Sequence, residues 1–217
     1  MSYFLFTTIS ALSIALPCIT GLFRFKQILY KRNLPLFVLL LAGLINETIS
    51  FLMIKCHKPN LLNSNLFTFI EYLIYVWLFM KIRSKGFKSI WIGLFIGITT
   101  WVLDNFILHS LYSSNSLFRI VSSLMICWFC IDRLSELTIT AVADRFKKID
   151  LLLCLSLLAY FTFRGFILIF KQFAPIHTAD FYTDLWIIIA VLNILVNITF
   201  SIVILCLPKA QRTTRSS

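Results

Sequence analysis

The chain has 217 residues, 59% hydrophobic and 13% charged, with a mean hydropathy of +0.90. A soluble domain carries about 25% charged residues, so a water-soluble fold is excluded, and six Gly and five Pro leave little material for long flexible linkers. Twenty Lys+Arg against nine Asp+Glu give a net charge of +11, which must be explained by where the cations fall.

A membrane-crossing helix needs about 20 mostly apolar residues to cover roughly 30 Å of hydrocarbon. Apolar runs of that order, separated by charged or Asn/Ser/Pro-rich breaks, predict seven spans, at about 3–23, 34–54, 65–82, 89–109, 116–133, 151–171 and 185–207. The expected fold is an all-α integral membrane protein, a seven-transmembrane-helix bundle forming one domain over residues 1–217. A transmembrane barrel would show alternating segments of about 10 residues instead.

Span 1 opens on Met1-Ser2-Tyr3-Phe4, without a basic n-region, and cations follow it; this predicts a retained span rather than a cleaved signal. Pro17 is expected to kink it. Span 2 carries Glu47, with Gly43 and Ser50 on its helical face and Asn46 adjoining. Span 3 carries Glu71, with Thr68 and Tyr75 on its face and Tyr72 beside it. Span 4 holds Gly93 and Gly97 as a GxxxG, which allows close helix approach within the chain or between two copies. It ends on Asp104, with Thr100 and Trp101 on its face and Asn105 following. Span 5 carries Arg119 above Ser122 and Ser123, and its Cys127 and Cys130 read as packing residues. The 132–150 loop alternates Leu137, Ile139, Val142 and Phe146 with Arg145, Lys147 and Lys148, as in a segment lying on the inner leaflet or docking a partner. Span 6 carries Arg164 on a stripe with Ser156 and Tyr160. In span 7, Asn193, Asn197 and Ser201 recur every four residues.

Cation placement gives an orientation. Arg24, Lys26, Lys31 and Arg32, then Lys81, Arg83, Lys85 and Lys88, then Arg133, Arg145, Lys147 and Lys148, and finally Lys209, Arg212 and Arg215 all fall on one side. Lys55, Lys58 and Lys171 fall on the other. Basic short loops stay cytoplasmic, so the N-terminus is expected outside and the C-terminus inside. A nucleic-acid face would cluster its cations, whereas these recur in alternate loops, so direct nucleic-acid binding is not expected. The lipid bilayer is the first partner, with a cytoplasmic protein on the basic loops and a second copy at Gly93 and Gly97 as further candidates. Trp91, Trp186, Tyr112 and Tyr182 fall near the expected membrane interfaces.

The informative charges are the five left inside spans. An ionisable side chain in hydrocarbon costs at least a few kcal/mol and faces the bundle interior. At about 1.5 Å per residue, Glu47 and Arg164 lie roughly 10 Å below the outer boundary, Glu71 roughly 9 Å, Asp104 roughly 8 Å and Arg119 about 4–5 Å. This predicts one outer-half polar layer made by Glu47, Glu71, Asp104, Arg119 and Arg164, with Asn46, Tyr72, Asn105, Tyr160, Asn193 and Asn197. It reads as a ligand-binding cavity or an ion-pair network with a formal charge of −1. Retinal chemistry lacks its mid-span Lys, and the three histidines, His57, His109 and His177, fall at span ends or in loops, a poor zinc site. There is no GxSxG and no Gly-rich phosphate loop, and no matching Pro or Gly breaks mark a transporter repeat. No catalytic residue, metal or cofactor is assigned. The expected function is binding, sensing or transport of a small molecule or ion. The alternatives are a pore-forming or modulatory component of a bacterial defence or signalling system, and an intramembrane lipid-modifying enzyme using acidic residues. Richness in Phe, Ile, Asn and Lys points to an AT-rich bacterial genome and the inner membrane.

Overall fold

The computed structural model describes residues 3–28, 32–83, 87–113, 115–139, 145–173 and 179–207. Lys31, Lys85, Val142, His177, Lys209, Arg212 and Arg215 lie outside these residues, as do the side chains of Lys26, Arg145 and Tyr182. All regular structure among them is helical: α1 (Tyr3–Leu12), α2 (Ala15–Phe23), α3 (Phe25–Ile28), α4 (Leu34–Lys55), α5 (Leu61–Ile82), α6 (Lys88–Val102) continuing as a π turn (Leu103–Leu108), α7 (Leu117–Ile139), α8 (Arg145–Phe173) and α9 (Ala179–Cys206).

Five of these rods are long and apolar enough to cross a membrane: Leu34–Lys55, Leu61–Ile82, Lys88–Leu108, Phe146–Gln172 and Thr183–Cys206. The other two expected spans fall short for identifiable reasons. The first is broken into α1 and α2 at residues 13–14, because Pro17 has no N–H to give the Ser13 carbonyl four residues back. That carbonyl takes the Leu16 N–H at 3.1 Å instead. The fifth, α7, is long enough but carries Arg119, Asp132, Arg133 and Glu136. Between α4 and α5 the chain reverses through His57, whose φ of 56° is left-handed. The Lys58 N–H returns to the Met53 carbonyl at 2.9 Å, closing the α4 C-terminus.

The rods close a ring. Helix α4 packs on α5, α5 on α7, α7 on α8, α8 on α9, and α9 on the broken α1–α2 rod, which returns to α4. Helix α6 stands outside this ring, packed on α5 and α7. The GxxxG sets that contact. A side-chain carbon on Gly93 would meet the Phe129 ring, and one on Gly97 would lie 2.6 Å from Tyr72 Cζ. Tyr72 then donates its hydroxyl to the Gly93 carbonyl at 2.5 Å. Phe79, Phe129, Phe161 and Leu157 are buried in the ring, whereas Phe95, Ile107 and Phe23 point outward and are exposed. That is the pattern of a bundle covered by acyl chains.

One end of the bundle is tied by ions. Asp150 at the start of α8 accepts from Arg32 just before α4 and from Arg133 at 2.5 Å. Arg133 also reaches Glu136 at 2.8 Å. Arg83 after α5 pairs with Asp132 at 2.6 Å, and Ser89 of α6 donates to Asp132 at 2.9 Å. Three arginines read from sequence as loop cations are therefore neutralised by three carboxylates.

Candidate functional site

The ring lines a partly open cavity of about 240 Å³. Of the sequence-derived set, Asn46, Glu47, Glu71, Arg119, Tyr160, Arg164, Asn193 and Asn197 line it. They come from α4, α5, α7, α8 and α9, and Ala11 and Ile14 at the α1–α2 break complete the wall. A second cavity of about 230 Å³ adjoins it and shares Ala11, Glu47, Tyr160, Trp186 and Asn193. A recess of about 60 Å³ continues past Glu71 to Tyr75, Leu40 and Phe200.

Glu71 and Arg164 form the central ion pair, with Arg164 Nη1 3.2 Å from Glu71 Oε2 and both side chains largely buried. The Arg164 guanidinium carbon also lies 5.6 Å from the Phe161 ring centre. Arg119 donates from Nη2 to Ser64 Oγ at 2.9 Å and Asn65 Oδ1 at 3.1 Å. Asn193 Nδ2 donates to the Ser10 carbonyl at 3.1 Å, and Asn197 Nδ2 to Ser13 Oγ at 2.7 Å, so the span 7 stripe holds the broken first rod. Asn46 Oδ1 accepts from Asn63 Nδ2 at 2.9 Å, tying α4 to α5.

Three residues of the expected layer stand elsewhere. Asp104 and Asn105 are buried in the π turn of α6, outside the ring. Asp104 accepts the Phe118 N–H at 2.8 Å, capping the first turn of α7, and meets His109 Nδ1 at 2.9 Å. Asn105 accepts from Asn115 at 2.5 Å, an arrangement that organises the turn before α7. Tyr72 faces α6. Depths change as well. Glu47, Glu71 and Arg164 lie about 12, 15 and 14 Å from their helix ends, and Arg119 about 3 Å, at 1.5 Å per residue. The expected single layer is thus a deep trio with Arg119 above it. Glu71 sits deeper than expected because α5 begins at Leu61, a turn earlier than the span read from sequence.

The same early start places Ser64 inside the helix and against Arg119, a contact not foreseen from sequence. Phe67 and Trp186 were also missed as wall residues; Trp186 carried only an interfacial signal. Among the described residues, no group of three or more His, Cys, Asp or Glu side chains is placed to hold a metal ion. Compared with protein-family models, curated proteins and solved structures, the chain shows no match. The class defined by the helices is a helical, apolar-spanned membrane protein.

Proposed function

We propose that this chain is a seven-span protein of the cell membrane that binds a small polar solute in the ring cavity, for sensing or transport. The N-terminus is outside, and the cavity lies in the outer half of a bacterial inner membrane. The supporting observation is the 240 Å³ cavity itself, walled by Glu47, Glu71, Arg119 and Arg164 in an otherwise apolar bundle. A merely structural ion network would close on itself, as Asp150 and its arginines do at the bundle's other end. At about 30 Å³ per water, the cavity has room for a solute on the order of ten non-hydrogen atoms.

The test is mass spectrometry of solutes co-purified with the full chain in lipid nanodiscs, together with thermal unfolding against a metabolite panel. Wild type is expected to carry or respond to a solute. Ala11→Phe, which fills the wall shared by both cavities, is expected to lose it while keeping the same elution volume. A wild-type protein that carries nothing and responds to nothing sinks the reading.

A further inference from the structure

Resting on that solute site, we infer that its ligand is a small zwitterion of amino-acid type, its ammonium held at Glu47 and its carboxylate at Arg119. The four charges on the wall sum to zero, yet only Glu71 and Arg164 meet each other. Among the described residues Glu47 has no ion pair and no hydrogen bond, and it shares its wall with Glu71, a charge of like sign. Arg119 bonds only neutral oxygens, both through Nη2, and no carboxylate among the described residues lies within 4.0 Å of it. A guanidinium offers five N–H donors, and a charged donor bonds a carboxylate more strongly than a neutral oxygen. Nη2 is taken by Ser64 and Asn65, and the donors on Nη1 and Nε have no protein partner among the described residues.

The two lone charges stand on different walls. Glu47 is on α4 and Arg119 on α7, with α5 packed between the two helices. Their surroundings differ in the same sense. Glu47 borders both large cavities beside Tyr160 and Trp186, aromatic faces that favour an ammonium group. Arg119 borders only the first cavity, next to Ser64. An unpaired charge in a low-dielectric interior is strongly unfavourable. A lone cation would answer Glu47 and leave Arg119 unmatched, and a lone anion would do the reverse. One molecule with both charges answers both.

The test uses the full chain in nanodiscs, with calorimetric binding of glycine betaine and the α-amino acids against choline and acetate as single-charge probes. A zwitterion is expected to bind at least tenfold more tightly than either single-charge probe. Arg119→Gln should weaken the zwitterion roughly tenfold to a hundredfold, the range for a lost charged hydrogen bond, and leave choline unchanged. Glu47→Gln should weaken the zwitterion and choline while leaving acetate unchanged. If Arg119→Gln does not fold, Arg119→Lys, which keeps the charge and loses the Nη1 and Nε donors, should still weaken the zwitterion alone. Choline binding as tightly as any zwitterion and indifferent to both Arg119 variants overturns the inference and leaves the solute site standing. Absence of binding by every probe, with no co-purified solute, removes both.

Discussion

Glu71 and Tyr72 are chain neighbours with separate duties. Adjacent helical residues point about 100° apart and do not share a face. Glu71 therefore enters the ring cavity, while Tyr72 turns to α6 and covers Gly97. Tyr72→Phe should cost about 0.5–1.5 kcal/mol, one hydrogen bond, and leave solute affinity at the wild-type value; thermal unfolding and binding measured on the same preparation check both. Helical periodicity within one rod places Tyr160, four residues before Arg164, on the cavity wall where the structure has both. Proximity in the chain misplaced Tyr72, grouped with Glu71. Periodicity failed for Asp104 and Asn105 because their rod, α6, packs outside the ring on α5 and α7, which no repeat within one rod reveals.

Among elements, the apolar lengths of α4, α5, α6, α8 and α9 were legible, since hydrocarbon thickness sets them. Which rod stands outside the ring was not, because every span shows a polar stripe and only tertiary packing decides which stripe faces the cavity. The ionic tie was equally hidden: Arg32 and Asp150 are separated by 118 positions, and sequence offers no period over that distance. Asp150 is the hub, its side chain 2% exposed and shared by two arginines. Removing one partner of a buried pair costs about 3–5 kcal/mol because the other charge is stranded. Asp150→Asn should therefore destabilise the bundle by that order, well beyond Glu136→Gln, as read from unfolding in detergent.

For the whole molecule, two native cysteines report the proposed orientation without engineering. Cys56 follows α4 and Cys206 ends α9; both are exposed, whereas Cys18, Cys130 and Cys154 are buried. A membrane-impermeant maleimide should label Cys56 in intact cells and reach Cys206 only after permeabilisation, scored against Cys56→Ser and Cys206→Ser. The reverse pattern would invert the bundle.

The two charge groups also divide the molecule's response to salt. The five arginines and five carboxylates of the cavity wall and the ionic tie cancel in charge, so the net +11 belongs to the remaining charges. Mobile ions screen exposed charges beyond a Debye length of about 8 Å at physiological ionic strength, and buried pairs far less. Rising ionic strength should therefore weaken any attraction of the exposed cations for anionic headgroups while leaving the internal electrostatics nearly untouched.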